Sequence, residues 1–145
     1  MFRGNQPASV DPKGRLKLPE KFRGMLMEMY GPQFYVTSKD GERAEIWPLK
    51  EWEKIEEALK NAPSSAAKQK LMDVTNYYGQ QVDMDAQGRL LMPQLLREKA
   101  SLKGDVAVLG QNNKLVVMND ERAQQMIAAA PLTGEDLDSL AIPGL

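Results

Sequence analysis

The residues best suited to chemistry lie in two short segments, 11–15 and 85–89, which share the pattern Asp-x-x-Gly-Arg. Each segment ends in an arginine, Arg15 in the first and Arg89 in the second. The guanidinium group is a planar fork of N–H donors that suits a phosphate group or the O6/N7 edge of guanine in the major groove. The two segments therefore indicate binding of an anion, with DNA as the first candidate.

A purely structural role is the alternative for Arg15, because Asp11 lies four residues before it and can pair with it. An exposed pair of this kind adds little stability, which does not explain its repetition at Arg89. We expect the two aspartates to form the turns and orient the arginines, since a carboxylate repels phosphate, and the two glycines to permit the turn geometry. The residues in these supporting roles are Asp11, Gly14, Asp85 and Gly88.

Further contacts with DNA are predicted beside the two arginines. We expect Arg3 and Lys13 to contact phosphate because both neighbour the first segment. Gln87 replaces Lys13 in the second segment and offers hydrogen bonds to a base or to the backbone, so the first half should dominate binding. Arg23 also lies nearby, and bracing of a helix is an open alternative for Arg23 and Arg97. The predicted DNA-binding residues are Arg3, Lys13, Arg15, Gln87 and Arg89.

The chain lacks both cysteine and histidine, which excludes several classes of enzyme. Without them there is no thiol nucleophile or thiolate zinc site, and the usual general base near neutral pH is missing. A carboxylate pair formed by Asp11 and Asp85 is the remaining enzymatic hypothesis, but no base, nucleophile or set of metal ligands accompanies it. We therefore expect no enzyme activity, no metal site, no cofactor and no small-molecule substrate.

Charge is unevenly distributed along a chain whose formal net charge is only −1. Residues 1–24 carry six basic and two acidic groups, and residues 67–104 carry six basic and four acidic groups. The segment after each basic island is acidic, with five basic and eight acidic groups in 25–66 and two and six in 105–145. Because each basic island contains one Asp-x-x-Gly-Arg segment, the charge pattern supports nucleic-acid binding at these two places.

The two segments belong to a longer internal repeat. Residues 11–23 align without a gap with residues 85–97, and six of the thirteen positions are identical. Each copy reads as a strand, a tight turn, a second strand, a short helix after a proline, and a hairpin. One copy alone buries too little apolar surface to be stable. We therefore expect the copies to exchange hairpins and form one barrel, with the two turns as approximate symmetry mates.

The predicted fold class is α+β and mainly β, a swapped-hairpin barrel built from two internal repeats with short flanking helices. Helices are predicted over 48–59 and 66–77, and Asn119 is expected to cap another helix that turns Ala123, Met126 and Ile127 inward. The sequence Thr133-Gly-Glu-Asp136 has the form of a capping box and predicts a last short acidic helix. The tryptophans are assigned to the core or to a subunit interface. The predicted division of the chain is a first domain at 5–50, a helical linker at 51–80, a second domain at 81–124 and an acidic C-terminal tail at 125–145.

The start of the chain at 1–5, the doubled segment with a proline and an arginine after each copy, and the spacing of the two halves resemble the MraZ family. This family comprises bacterial transcriptional regulators with two SpoVT/AbrB-type domains. The resemblance implies an AbrB-like barrel and a ring-shaped homo-oligomer. It also implies sequence-specific binding of double-stranded DNA at short direct repeats in a promoter, and regulation of the division and cell-wall gene cluster.

Two further expectations complete this interpretation. A protein-interaction module without specific DNA binding, either antitoxin-like or a scaffold, is the alternative function, and the acidic segment 133–145 would then contact the partner. For the regulator we expect a cytoplasmic protein associated with the nucleoid. The longest apolar runs are too short to span a membrane, and the first residues do not resemble a signal peptide.

Overall fold

Eight strands and six helices make up the computed structural model, which describes residues 1–145. The strands are β1 Phe2–Val10, β2 Arg15–Lys17, β3 Gln33–Thr37, β4 Ala44–Pro48, β5 Gln80–Asp83, β6 Arg89–Leu91, β7 Gly104–Asn112 and β8 Lys114–Asn119. The helices are α1 Glu20–Met29, α2 Leu49–Asn61, α3 Ala66–Tyr77, α4 Gln94–Ala100, α5 Asp120–Ala129 and α6 Gly134–Leu140.

All eight strands form one antiparallel sheet in the order β5-β3-β4-β8-β7-β1-β2-β6. The two strands at the ends of this order, β5 and β6, are consecutive in the chain and are joined by the turn at 84–88. The Asp85 N–H donates to the Arg89 carbonyl at 3.0 Å, as the Asp11 N–H does to the Arg15 carbonyl at 2.9 Å in the equivalent turn. The sheet is thus a nearly closed barrel, which confirms the predicted fold class.

The barrel is assembled by pairing between the two repeats. Strand β1 of the first repeat pairs with β7 of the second along nine residues, from Phe2 opposite Asn112 to Val10 opposite Gly104. In the same way, β5 of the second repeat pairs with β3 of the first. The pairs β2–β6 and β4–β8 also join the two repeats. Neither repeat contains a complete sheet, as expected from the small apolar area that one copy can bury.

The main hydrophobic core contains twenty buried residues from both repeats. Leu16 and Leu90 are fully buried and face each other at the centre of the β2–β6 ladder. Helix α1 contributes Phe22, whose ring packs edge-on against Phe2 at 6.2 Å between centroids. Helix α4 contributes Leu96 in the equivalent place. The core therefore lies directly beneath the two strands that follow the Asp-x-x-Gly-Arg turns.

The tryptophans are buried, in agreement with their assignment to the core. Trp47 in β4 and Trp52 in α2 are 6% and 5% exposed, and their rings meet at 5.4 Å between centroids. Tyr35 in β3 stacks on Trp52 at 4.9 Å. This aromatic cluster attaches α2 to the outside of the sheet.

The C-terminal helix α5 corrects one expectation. Asn119 caps it by accepting a hydrogen bond from the Arg122 N–H, and Ala123 is buried as predicted. Ile127 is 70% exposed, so its predicted inward position is wrong, whereas Met126 packs against the small cluster around Ala123. Helical spacing places positions i+3 and i+4 on the same side and does not decide which of them meets the sheet.

The last helix, α6, projects without burying any residue. Thr133 and Asp136 form a reciprocal capping box at its start, as the sequence predicts. None of the six helices has the length and apolar character required to cross a bilayer.

Candidate nucleic-acid interface

The arginines of the two Asp-x-x-Gly-Arg segments lie on one short antiparallel ribbon formed by β2 and β6, with the two turns at its opposite ends. In its ladder Leu16 lies opposite Leu90, and both side chains point into the core. Because side chains alternate along a strand, the residues on either side of these leucines point outward. We call this outer surface the ribbon face; its residues are Arg15, Lys17, Arg89 and Leu91.

Each turn is held by its aspartate in the same way. One carboxylate oxygen of Asp11 accepts the backbone N–H groups of Lys13 and Arg15 at 2.9 Å, and the other accepts Arg15 Nε at 2.9 Å. Asp85 does the same in the second turn, where Arg89 Nε donates at 2.8 Å. Each aspartate thus holds its own turn and the side chain of the arginine four residues later.

The ion pairs leave the outer part of each arginine available for a ligand. Only Nε of Arg15 and of Arg89 bonds to the aspartate, and neither residue's Nη groups make a hydrogen bond within the chain. The two side chains are 29% and 25% exposed. Pairing with aspartate and contact with an anion are therefore compatible, because the pair fixes the side chain and the two terminal nitrogens remain free.

The hydrogen bonds at both turns favour the ionised form of the aspartates. The pKa of Asp11 lies below its ordinary value of 3.8, chiefly because the Arg15 backbone N–H donates to the carboxylate. The pKa of Asp85 is lowered in the same way, chiefly by the Arg89 backbone N–H. Both aspartates thus carry a full negative charge near neutral pH and keep the arginines in place.

Acidification is expected to loosen both turns. Because the folded-state pKa values of Asp11 and Asp85 are depressed, these carboxylates stabilise the chain above about pH 4 and lose that effect as the pH falls through their folded pKa values. In the Asp11→Asn/Asp85→Asn variant the unfolding free energy should fall less steeply between about pH 5 and pH 3. Urea denaturation at several pH values measures this, with Asp73→Asn on the exposed side of α3 as control. An unchanged steepness in the double variant contradicts the prediction.

The turn glycines are required by backbone geometry and by close packing. Gly14 and Gly88 have φ angles of +85° and +78°, in the left-handed region that favours glycine. A Cβ atom at Gly14 would collide with the guanidinium group of Arg97, and one at Gly88 would collide with Arg23. Each helix arginine therefore lies over the turn of the opposite repeat.

Hydrogen bonds hold these two arginines in their crossed positions. Arg97 Nε donates to the Met92 carbonyl at 3.0 Å, and Arg23 Nη1 donates to the Gln87 carbonyl at 3.3 Å. This geometry supports the bracing alternative for Arg23 and Arg97. That each one braces the turn of the other repeat has no signal in the sequence.

Replacing Gly14 with alanine is expected to lower the free energy of unfolding by about 1–3 kcal/mol, because a Cβ is strained at positive φ and meets Arg97. Gly24 in α1 is the matched control, since nothing lies within 4 Å of a Cβ placed there. Gly24→Ala should stabilise the chain by about 0.5–1 kcal/mol, as in other helix interiors. Urea denaturation compares the two variants, and equal effects of the same sign rule out a special role for the turn.

Lys17 and Arg89 place two positive charges directly opposite each other on the ribbon face. The Leu18 N–H donates to the Gly88 carbonyl and the Met92 N–H to the Gly14 carbonyl, which makes the Lys17–Arg89 pair a non-hydrogen-bonded one. Side chains come closest in such pairs, and like charges there oppose folding. No acidic group forms an ion pair with Lys17. Arg89 is already paired with Asp85, so Lys17 is the cation of this pair that an anionic ligand would neutralise.

The remaining predicted contacts are distributed unevenly around the ribbon. Lys13 and Gln87 lie exposed at the tips of the two turns, beside Arg15 and Arg89 respectively. Arg3 does not neighbour the first turn. It pairs with Gln111 near the far end of β1, and about 26 Å of extended strand separates Arg3 from Asp11. The short distance in sequence suggested that Arg3 lies close to the first turn, but residues of an extended strand are far apart in space. DNA contact by Arg3 therefore stays a prediction based on its charge alone.

Leu91 is a residue of the ribbon face that was not predicted from the sequence. Its side chain is 49% exposed and lies opposite Arg15 on the ribbon face. The alternation along β6 could have predicted this exposure, because only one of the neighbouring residues Leu90 and Leu91 can face the core. No group of three or more acidic, histidine or cysteine residues in the structure is placed to bind a metal ion.

The sequence matches known proteins along nearly its whole length. The profile of a family described as "MraZ protein, putative antitoxin-like" matches residues 1–75 and 79–135. A protein of Acidobacterium capsulatum named "Transcriptional regulator MraZ" is 54% identical over 146 aligned residues, with all of both chains covered. A protein of the same name from Koribacter versatilis is 48% identical, again over the whole of both chains. Another from Thiobacillus denitrificans is 35% identical over 90% of this chain and 88% of its own.

These similarities include both repeats, the linker between them and both Asp-x-x-Gly-Arg turns. The shared name of the relatives denotes a regulator of transcription, in agreement with the expectation that the chain is not an enzyme. From the family profile and the full-length relatives together, we conclude that this chain belongs to the MraZ family.

Proposed function

We propose that the protein is a sequence-specific DNA-binding transcriptional regulator whose ribbon face enters the major groove. In this proposal it binds short direct repeats in the promoter of the division and cell-wall gene cluster. It acts in the cytoplasm, in association with the nucleoid. The name shared by its relatives supports the coarser part of the proposal, regulation of transcription.

The observation that carries the proposal is the cationic surface at the centre of the ribbon. Arg15 and Arg89 are each fixed through Nε, and Lys17 lies against Arg89 without an acidic partner. A two-stranded antiparallel ribbon has the dimensions to enter the major groove of B-form DNA. Pre-oriented arginines bind with less loss of side-chain entropy, and they can contact phosphate or the guanine edge.

We further propose that several chains assemble into a ring, so that several ribbon faces contact successive direct repeats. On the ribbon face of a single chain only Lys17 lacks an acidic partner, because Arg15 and Arg89 are paired with aspartates. Linked weak contacts gain affinity from a high effective concentration. Exposed apolar side chains on α1 and α3 offer surface for subunit contacts; these are Met27, Met29, Met72 and Tyr77. Size-exclusion chromatography with light scattering measures the assembly, and a strictly monomeric chain at the concentrations used for DNA binding contradicts it.

The test of DNA binding is fluorescence anisotropy with a labelled duplex of the DNA immediately upstream of the gene for this chain. A duplex of scrambled sequence serves as the control, and both are titrated at two salt concentrations. The proposal requires tighter binding to the upstream duplex and a log–log salt slope of about −0.9 for each phosphate contacted. Equal weak binding to the two duplexes contradicts sequence-specific regulation.

One feature of the structure would favour the interaction module in that case. Helix α6 carries Glu135, Asp136 and Asp138 and buries none of its residues. Leu140 at the end of this helix and Ile142 just after it are more than half exposed. In that case the C-terminal segment would bind a partner protein whose surface is basic and apolar.

A further inference from the structure

The two repeats present different side chains at three equivalent exposed positions. The first repeat has a lysine at each, whereas the second has a glutamine and two leucines. The corresponding pairs are Lys13 and Gln87, Lys17 and Leu91, and Lys21 and Leu95. The barrel is symmetric in its strand pairing, but the two halves of its outer surface around the ribbon are chemically unlike.

Leu91 is the member of this set that lies on the ribbon face itself. Single exposed leucines are common on protein surfaces and need no explanation by themselves. Leu91, however, stands directly opposite Arg15 and two residues after Arg89, at the place where the symmetry-related position holds Lys17. An apolar side chain cannot bind phosphate, so Leu91 would add no affinity to a surface that contacts only the DNA backbone.

We propose that Leu91 contacts the C5-methyl group of a thymine in the major groove, whereas Lys13 and Lys17 bind phosphate. The inference rests on the proposed DNA-binding function. Thymine is the one base that presents a methyl group in this groove, and apolar side chains recognise it by direct contact. The arginines on the same face contact phosphate or guanine, so the second repeat adds recognition of an A·T pair to the binding site.

Removal of the methyl group from DNA tests this contact without changing the protein. The probe is the upstream duplex with deoxyuridine in place of every thymidine. Wild-type protein should bind it at least about fourfold more weakly than the normal duplex, the loss expected for exposing one buried methyl group. Leu91→Ala should bind both duplexes with equal affinity, close to that of the wild type for the deoxyuridine duplex.

Lys17→Ala is the matched control at the symmetry-related position. It should bind both duplexes more weakly and keep the wild-type preference for thymine. Its log–log salt slope should be smaller in magnitude by about 0.9, whereas Leu91→Ala should keep the wild-type slope. Both variants should fold, because both side chains are exposed, and urea denaturation checks this.

The outcomes separate this inference from the proposed function. If the wild type prefers the upstream duplex to scrambled DNA but binds the thymine and uracil duplexes equally, only the role of Leu91 is overturned. The same holds if Leu91→Ala keeps the full preference for thymine. If the wild type does not distinguish upstream from scrambled DNA, the proposed function and the inference fail together.

Discussion

Replacing Arg15 with alanine is expected to weaken binding to the upstream DNA about 5- to 150-fold, as for the loss of one bidentate contact worth about 1–3 kcal/mol. The fold should remain intact, because Asp11 still accepts the two backbone N–H groups of the turn. Arg89→Ala should have a smaller effect, since Gln87 makes the second turn less positive than the first. Fluorescence anisotropy measures the affinities, and circular dichroism with urea denaturation checks the fold.

Lys50→Ala provides the control for loss of positive charge. Lys50 is exposed on α2, forms no ion pair and lies outside the ribbon. Its removal should leave the affinity close to that of the wild type. An equal loss of affinity in Lys50→Ala and Arg15→Ala would show that only overall charge matters and would contradict the assignment of Arg15.

The second large effect is expected for Leu90→Ala, which should lower the free energy of unfolding by about 2–5 kcal/mol. Leu90 is fully buried opposite Leu16 in the ladder that joins the two repeats. Its truncation removes apolar contacts and leaves a cavity beneath the ribbon face, and the surrounding strands can close it only in part. Urea denaturation measures the loss. DNA binding should fall as well, once part of the protein is unfolded at the assay temperature.

Leu91→Ala is the matched control because it makes the same chemical change one residue later. Leu91 points away from the core, and substitutions at such positions usually change stability by no more than about 0.5 kcal/mol. The two variants should therefore separate stability from DNA recognition, Leu90 acting on the first and Leu91 on the second. Similar unfolding free energies for both variants would contradict the alternation observed along β6.

The local elements of the fold were largely predictable from the sequence. The turn residues, the alternation after each turn and the helix at 66–77 agree with the structure, since α3 spans Ala66–Tyr77. Helix capping by Asn119 and the capping box at Thr133 were predicted from residue type and spacing alone. These features depend on neighbours within a few positions, so the information needed for them is contained in short stretches of sequence.

The errors arose where position in space depends on more distant parts of the chain. Arg3 was placed beside the first turn, but the extended β1 carries it to the other end of the barrel. Ile127 was predicted to lie inward together with Ala123 and Met126, but α5 is oriented so that only the latter two pack against the sheet. The error for Arg3 came from closeness in sequence and that for Ile127 from helical spacing, and neither fixes a position in space.

The sequence by itself determined that two copies of one unit exist, that each forms a turn ending in an arginine, and that neither copy is large enough to stand alone. Only the tertiary structure decided which side chains of the two copies meet: Lys17 against Arg89, Leu91 opposite Arg15, and Arg97 over Gly14. The physical reason is that strand register between distant segments is set by burial of Leu16 and its partner in a shared core. Short stretches of sequence do not specify this pairing of strands, and the ribbon face exists only once the pairing has formed.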